Sequence, residues 1–338
     1  MRPVDNPPNP WLSSHVDYLG EPPDQPLVVY EEQASSILSE NDSPDLPFRW
    51  SLNPYRGCFH GCAYCYARPT HQYLGFGAGT DFERRIVAKT NAAELLRAHL
   101  QRQSWQGEPI VFSGVTDCYQ PLEAHYRLTR ACLEVCREFR QPVDLITKGA
   151  LVARDVDLLG NLAQHRAARV FVSVPFAVAA DSRAIEPFVA APERRFAAMR
   201  ALADAGVEVG VSVSPLIPGL NDHQVPEILE RARAAGATLA FHVLLRLPAE
   251  VEQVFEARLR AAFPDRADKV LSLLGGMRDG QRNEARFHAR MRGQGPRYAI
   301  VEQLFTKVAR RLGFTPRSEL VPRVSPFRRP FAQQSLFP

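Results

Sequence analysis

The stretch CFHGCAYC, residues 58–65, places three cysteines in eight positions with the spacing C-x3-C-x2-C. A 4Fe–4S cluster ordinarily takes four cysteine thiolates, one for each iron. Three thiolates with no fourth nearby leave one iron open, and an open coordination position distinguishes a reactive metal centre from a structural one. The short gaps let Cys58, Cys62 and Cys65 converge on one cluster, and Gly61 permits tight turning between them. The spacing therefore predicts an iron–sulfur centre with one vacant position.

Three other interpretations of these cysteines are open. A structural zinc site needs four ligands, so His60 or the distant Cys118 would have to complete it. A disulfide framework is typical of short secreted chains, whereas this chain has 338 residues and six cysteines. Chance spacing in a buried loop is the third. The specific spacing, together with its surroundings, favours the iron–sulfur interpretation.

The composition is that of a globular protein, with 45% hydrophobic and 23% charged residues. No apolar stretch approaches the roughly 20 residues that a membrane span needs. Residues 1–5 lack the basic and apolar regions of a secretory signal. We therefore expect a cytoplasmic protein with no membrane partner, in a compartment reducing enough to keep cluster thiolates available.

Basic charge is concentrated at the C-terminal end. From Met277 onward there are 13 basic and 4 acidic residues, a net charge of +9, although the whole chain carries only +4. Such blocks can contact nucleic acids, which makes DNA or RNA a candidate partner of residues 276–338. The basic residues of the chain are 37 arginines and 4 lysines, a skew that genome base composition alone produces. The nucleic-acid interpretation therefore stays open.

The N-terminal segment differs from the rest. The first 50 residues hold 9 of the 28 prolines, with 9 acidic and 2 basic residues. We expect residues 1–46 to form an extended, partly disordered arm with a short strand at Val28–Tyr30. Order should begin near Phe48.

Residues 47–275 alternate short apolar runs with longer helical patterns. Strands are predicted at 109–112, 143–147, 169–174, 207–213 and 239–244, and helices at 122–140, 152–165, from 191, at 226–235 and at 250–263. Asn91 and Glu94 predict a capping box at the start of the first helix. With the strand that feeds the cysteine loop, the pattern makes six strand–helix units. It predicts an α/β fold with a parallel sheet, either doubly wound or an incomplete barrel.

Residues 276–338 should form a basic, helical C-terminal extension followed by a tail. Leu304, Val308 and Leu312 make one apolar stripe on its helix, which is typical of packing onto a barrel. The tail after Thr315 should be extended. On the helix at 122–140, Cys132 and Cys136 share a face and are expected to pack in the core.

The cysteine spacing, with the aromatic Tyr64 directly before the last cysteine, resembles the signature of the radical S-adenosylmethionine superfamily. The resemblance implies a partial (β/α)6 TIM-like barrel, a 4Fe–4S cluster and bound S-adenosylmethionine. It also implies an enzyme to which a reduced flavodoxin- or ferredoxin-type protein donates an electron. The cofactor would then split into methionine and a 5′-deoxyadenosyl radical that abstracts a hydrogen atom from a substrate.

Loops at the carboxyl ends of parallel strands carry function. Ser113, Gly114, Thr116 and Asp117 follow the second strand, where the resembled family binds the amino group of S-adenosylmethionine. These residues replace the family's paired glycines. The alternative interpretation of this segment is a turn with an aspartate helix cap.

Other candidate cofactor contacts follow later strands. Lys148 could pair with the carboxylate of the cofactor and Ser173 could reach its ribose, although both also fit structural hydrogen bonds. Ile217 lies in a segment resembling the one where the family packs an isoleucine against adenine. Tyr64 could face the bound ligand.

Several segments resemble the spore photoproduct lyase-like, "DNA repair photolyase" branch of the superfamily. They are NPYRG at 53–57, TD at 116–117 with YQP at 119–121, and ITK at 146–148, within residues 48–245. This resemblance implies a DNA lesion as substrate, although RNA, a peptide or a small molecule fits the same residues. In that branch a cysteine of the second-strand loop returns a hydrogen atom to the substrate. Cys118 lies in that loop at another offset, as a candidate hydrogen donor or as a buried cysteine.

Two other classes of function remain. An iron–sulfur protein for electron transfer or redox sensing would not bind S-adenosylmethionine. A zinc-bearing nucleic-acid-binding module would use the basic C-terminal region and would contain zinc without iron or sulfide.

Overall fold

The computed structural model describes residues 5–13, 24–316 and 323–330. The strands are β1 (Val28–Glu32), β2 (Leu38–Glu40), β3 (Trp50–Leu52), β4 (Tyr55–Arg56), β5 (Arg85–Lys89), β6 (Ile110–Phe112), β7 (Val143–Thr147), β8 (Ala168–Ser173), β9 (Glu208–Leu216), β10 (Leu239–Leu244) and β11 (Thr315–Pro316).

The helices are α1 (Thr80–Arg84), α2 (Ala92–Gln101), α3 (Glu123–Tyr126), α4 (Leu128–Phe139), α5 (Val156–Ala163), α6 (Ala179–Ile185), α7 (Pro192–Asp204), α8 (Val225–Ala234), α9 (Val251–Ala262), α10 (Pro264–Gly276) and α11 (Gly295–Arg311). Short 3₁₀ helices lie at Arg68–Leu74, Ala150–Asp155 and Asp222–Gln224. Among the described residues, no helix combines the length and the apolar character needed to cross a membrane.

An eight-stranded sheet, in the order β11-β10-β9-β8-β7-β6-β3-β2, organises the molecule. Every neighbouring pair from β3 to β11 is parallel, and only β2 runs antiparallel to β3. Helices connect the successive parallel strands, because parallel neighbours need crossover connections. The prediction of an α/β fold with a mostly parallel sheet is confirmed, and the arrangement is consistent with a partial barrel.

The core lies on both faces of this sheet, as parallel architectures require. Leu52, Phe112 and Val172, on three different strands, have no exposed surface. Cys132 and Cys136 of α4 are also fully buried among apolar side chains, as predicted. The stripe on α11 packs against the same core through Val308 and its neighbours.

The helix predicted at 122–140 is in fact two helices. Arg127 adopts a left-handed backbone with φ of 53°, which ends α3 and begins α4. The carboxylate of Glu123 accepts hydrogen bonds from the N–H groups of Thr129 and Arg130 at 3.0 and 3.2 Å. These contacts satisfy amides of the first turn of α4, which have no partner within the helix. The periodicity of the sequence does not show this break.

The N-terminal segment is more structured than predicted. Strand β1 covers the predicted Val28–Tyr30 strand and pairs in parallel with β5, while β2 forms one edge of the large sheet. The expectation that order begins near Phe48 is therefore wrong for residues 24–46. Residues 1–4 and 14–23 of the predicted arm lie outside the described residues.

The predicted capping box at Asn91 is also wrong. The Asn91 side chain makes no capping hydrogen bond to α2. Its amide accepts from the N–H of Ala34 and donates to the carbonyl of Ala34, both at 2.9 Å. Asn91 therefore joins the N-terminal segment to the start of α2, a contact that local sequence cannot reveal.

Part of the C-terminal tail folds back on α4 and on the segment after α2. Residues 323–330 have no regular secondary structure. The ring of Phe327 stacks on that of Phe139, with the ring centres 6.2 Å apart. Arg329 donates to the carbonyls of Arg102 and Trp105, both at 2.7 Å. The predictions for residues 317–322 and 331–338 lie outside the described residues.

We predict that Asn91→Ala will loosen the N-terminal segment by about 1–2 kcal/mol, because two hydrogen bonds to the backbone of one residue, Ala34, are lost. Hydrogen exchange of the Ala34 amide should accelerate accordingly. Gln33→Ala is the matched control, because it removes an exposed hydrogen bond to Thr90 in the same neighbourhood. Equal protection of Ala34 in the wild type and in Asn91→Ala would contradict the role given to Asn91.

Candidate functional site

One cavity of about 1190 Å³ opens at the carboxyl ends of the parallel strands. Residues that follow β3, β6, β7 and β8 line its floor, and residues after β10 and before α11 line its outer wall. In parallel α/β folds this end of the sheet gathers loops from many strands, which makes it the usual place for a site.

The cysteine loop lies in this cavity. Cys58, Cys62 and Cys65 all line it; the first two are buried and the third is partly exposed. Gly57 and Gly61 have φ of 75° and 66°, values that side-chain-bearing residues rarely adopt. A Cβ on Gly61 would also approach Glu83 within 3.1 Å. The two glycines therefore let the chain turn sharply on either side of Cys58.

A fully buried arginine, Arg68, binds backbone carbonyls of the cysteine loop. Arg68 donates from Nε and Nη2 to the carbonyl of Cys62 at 3.0 and 2.8 Å, and from Nη2 to that of Gly61 at 3.2 Å. Its Nη1 donates to two further carbonyls near α1. The carboxylate of Glu83 pairs with Nη2 at 2.5 Å. Arg68 thus satisfies carbonyls that the tight loop leaves without helix or sheet partners.

The three thiols fit a cluster better than a single ion. Among the described residues, no three His, Cys, Asp or Glu side chains are grouped so that they could hold one metal ion. An iron–sulfur cluster needs its thiolates farther apart than a single metal ion does, because each thiolate binds a different iron. Burial raises the pKa of Cys62 and of Cys65, so these thiolates need a bound cation to be stable. The residues present therefore fit the predicted group.

The loop after β6 also fixes the cysteine loop, through hydrogen bonds to its backbone. Asn53 accepts from the N–H groups of Gly114 and Val115 at 2.7 and 3.0 Å. The Thr116 hydroxyl donates to the carbonyl of Gly57 at 2.6 Å, and the side chain of Gln120 accepts from the Phe59 N–H at 2.9 Å. This loop therefore positions the cysteines besides lining the cavity.

Asp117 lines the cavity and is the centre of a hydrogen-bond network. Its carboxylate accepts from the Thr147 hydroxyl at 2.6 Å and from the Lys148 N–H at 2.7 Å, and lies 3.4 Å from His60 Nδ1. Burial opposes the charged form, but His60 and these donors lower the pKa of Asp117 to about 2. Because its oxygens are already engaged, Asp117 positions the loops after β3, β6 and β7.

Tyr64 connects the cysteine loop to a second buried network. Its hydroxyl donates to Glu186, which pairs with Arg195 at 2.6 Å. Burial alone would raise the pKa of Glu186, but the charges of Arg195 and Lys148 keep it below its usual value. The Lys148 ammonium lies 5.5 Å from the centre of the Tyr64 ring. It makes no ion pair within 4 Å among the described residues.

Hydroxyl groups line the floor beyond Lys148. Ser113 faces the cavity with a left-handed backbone, φ 80°, and its hydroxyl accepts from the N–H of Cys118 at 3.1 Å. Ser173 also faces the cavity, together with Ser212 and Ser214 on β9. The Ser214 hydroxyl is buried without a hydrogen-bond partner among the described residues. Sequence reasoning missed both β9 serines, although their alternation in VSVS could have indicated them.

Two predicted residues do not reach the cavity. Cys118 is fully buried in the hydrophobic core, and Ile217 is buried with its N–H bonded to the side chain of Asn221 at 2.6 Å. Neither belongs to the cavity lining. The structure therefore does not support Cys118 as a donor of hydrogen to a substrate, or Ile217 as a contact of adenine.

The fold and the cysteine loop together define the class of protein. Residues 52–232, more than half of the chain, match the profile described as the Radical SAM superfamily. That span begins at β3, contains the three cysteines and ends in α8. The chain belongs to the radical SAM superfamily and is an enzyme of that class.

Relatives in sequence come from distant organisms. An uncharacterized protein of Mycobacterium tuberculosis is 35% identical over 250 residues, which cover 73% of this chain and 74% of that protein. An uncharacterized protein of Methanocaldococcus jannaschii is 30% identical over 175 residues, 52% of this chain and 62% of that one.

The fold is similar to that of spore photoproduct lyase. A mutant of that enzyme superposes with a TM-score of 0.63 and 15% identity, covering 90% of this chain and 88% of the other. Its complex with dinucleoside spore photoproduct gives 0.61 and 15%, covering 86% and 81%. At this identity the similarity concerns the fold.

We predict that Arg68→Met will lower the free energy of unfolding by about 3–5 kcal/mol, because it leaves the Glu83 carboxylate buried without its cation. Chemical denaturation under anaerobic conditions measures the loss. Arg311→Met is the matched control: it removes an exposed pair with Glu230, worth less than about 1 kcal/mol. Losses of equal size in the two variants would contradict the role given to Arg68.

Proposed function

We propose that Cys58, Cys62 and Cys65 hold a 4Fe–4S cluster and that S-adenosylmethionine binds beside it in the cavity. One observation carries this proposal: the three cysteines share a cavity with Lys148, whose ammonium makes no ion pair within 4 Å among the described residues. A cluster held by these three cysteines would supply one electron for reductive cleavage of S-adenosylmethionine, whose products would be methionine and a 5′-deoxyadenosyl radical able to abstract hydrogen from a substrate.

The protein's own groups bind and orient the cofactor. Lys148 would bind its carboxylate, because a charge-assisted hydrogen bond is strong in a partly buried site. Ser113, Gly114 and Thr116 would offer carbonyl and hydroxyl acceptors to its ammonium group. Ser173 would bind a ribose hydroxyl, with Ser212 and Ser214 beside it.

Other residues hold this arrangement in place. Tyr64 presents its ring beside Lys148, while its hydroxyl is fixed by Glu186. Asp117 fixes the backbone of Lys148 and so orients the strand end from which the ammonium extends. Preorganised groups of this kind lose little freedom when the cofactor binds.

We further propose a DNA lesion as the substrate and a reduced flavodoxin- or ferredoxin-type protein as the electron donor. The radical SAM class generally needs a reductant. Spore photoproduct lyase, whose fold this chain shares, has been solved with bound AdoMet and dinucleoside spore photoproduct. The basic C-terminal segment supports a nucleic acid as partner. Formation of 5′-deoxyadenosine should rise on addition of ultraviolet-irradiated DNA, compared with unirradiated DNA.

We predict that Cys58→Ala will abolish both the cluster absorbance and the formation of 5′-deoxyadenosine after anaerobic reconstitution, because a cluster ligand is lost. Iron and sulfide analysis with chromatography of the products checks both effects. The control is Cys136→Ala, which removes a buried thiol from α4 and should keep the cluster. Full cluster content and product formation in Cys58→Ala would refute the assignment.

We predict that Lys148→Met will weaken binding of S-adenosylmethionine by about 10- to 100-fold while iron and sulfide content stay unchanged, because one charge-assisted hydrogen bond is removed. Equilibrium dialysis with labelled cofactor measures the change. Lys269→Met, an exposed lysine on α10, is the control. If both variants bind the cofactor as the wild type does, Lys148 is not its carboxylate partner.

A further inference from the structure

The outer wall of the cavity is strongly basic. Arg246 follows β10, and His288, Arg290 and Arg292 come from the segment before α11. These residues lie on the side of the cavity formed by the C-terminal part of the chain. None of them is needed for the proposed contacts to the cluster or to S-adenosylmethionine.

Of the basic residues of this wall, only Arg290 has an acidic partner among the described residues of the cavity. Asp45 pairs with Arg290 at 2.5 and 2.7 Å. Glu40 pairs with Arg49 at 2.7 Å, and Asp117 lies beside His60. The remaining carboxylate of the lining, Glu302, belongs to α11.

Arg246 has a weaker counter-charge, because Asp45 acts on it only from a distance while pairing with Arg290. Among the described residues it makes no ion pair, and its Nε is buried without a hydrogen-bond partner. Within the described part of the chain, its one hydrogen-bond contact is from Nη1 to the sulfur of Met291 at 3.8 Å, a weak acceptor. A partly buried guanidinium in this state costs free energy until an anion binds it.

A second arginine lies behind it. Arg278 is only 4% exposed, donates to the carbonyl of Leu245 at 2.9 Å and leaves Nε and Nη1 without partners. Burial and the charge of Arg290 lower the pKa of Arg246. Burial and the charge of Arg246 lower the pKa of Arg278 to about 10. Burial is the larger cause of both shifts and repulsion between neighbouring arginines adds to it, and a bound anion would oppose both effects.

An aromatic face lies in the same cavity. Tyr66 directly follows Cys65, its side chain is 56% exposed, and its hydroxyl donates to the carbonyl of Gly114 at 2.7 Å. This hydrogen bond holds the ring at the edge of the cysteine loop. Flat rings such as nucleobases stack on exposed aromatic side chains of this kind.

We propose that Arg246 binds a phosphate group of the substrate, while Tyr66 faces the base or ring of the same molecule. The guanidinium fork matches phosphate oxygens, which accept two parallel hydrogen bonds from it. The inference rests on the proposed function only in taking this cavity as the substrate cavity. A free nucleotide and a nucleic-acid strand offer the same phosphate chemistry.

The test measures binding of thymidine, thymidine 5′-monophosphate and pentathymidylate to the reconstituted protein with S-adenosylmethionine present. Pyrimidine probes are used because adenine would compete for the cofactor site. The monophosphate should bind about 10- to 100-fold more tightly than the nucleoside, as one charged hydrogen-bond pair implies. This preference should shrink as salt is added. Tighter binding of pentathymidylate than of the monophosphate identifies a strand as the source, and the reverse a free nucleotide.

Arg246→Gln should reduce the preference for phosphate at least about tenfold. Arg246→Lys, which keeps a cation without the fork, should retain part of it. Arg297→Gln is the matched control, because it removes the same charge from an exposed position of α11 outside the cavity.

Equal binding of thymidine and its monophosphate to the wild-type protein, or no binding of any phosphate probe, overturns the proposal. So does an undiminished preference in Arg246→Gln. The wild-type measurement needs no variant, so misfolding of a variant does not leave the question open. Formation of 5′-deoxyadenosine without substrate, measured on the same preparation, tests the proposed function separately.

Discussion

The geometry of the site depends on one buried guanidinium, that of Arg68. A loop that turns through Gly57 and Gly61 cannot satisfy its carbonyls by helix or sheet pairing, and Arg68 binds those of Gly61 and Cys62 instead. The cost of burying its charge is offset by Glu83. The three cysteines can therefore line one cavity although the loop turns sharply.

The proposed sites for cofactor and substrate lie on two sides of this loop. Toward the sheet, Asp117 connects the segments that follow β3, β6 and β7 through hydrogen bonds and its contact with His60. Its carboxylate binds the backbone of Lys148, and the Lys148 ammonium makes no ion pair within 4 Å among the described residues. Toward the C-terminal part of the chain, the wall around Arg246 has more positive than negative charge. An anion at Lys148 and another at Arg246 would balance both ends of one cavity. This division of charge fits a cofactor carboxylate and a substrate phosphate.

The sequence predicted what local patterns encode. Apolar runs such as 143–147 and 239–244 coincide with β7 and β10, and the cysteine spacing predicted the loop that lines the cavity. It could not show contacts between distant segments. Asn91 has the local pattern of a helix cap, but its side chain binds the backbone of Ala34. The candidacy of Cys118 and Ile217 rests on the resemblance of their segments to the family, and such a resemblance does not decide toward which side a side chain points. Local sequence does not single out Arg246, because what distinguishes it is the absence of an ion pair among the described residues in the folded chain.

The most direct test of the central claim is Mössbauer spectroscopy of the protein reconstituted with ⁵⁷Fe, recorded before and after addition of S-adenosylmethionine. A cluster held by three cysteines has one iron without a protein thiolate. The spectrum of that single iron should change on binding, whereas the other irons should keep theirs. Equivalent irons that do not respond to a bound cofactor would contradict the account, because they would show that no coordination position is open.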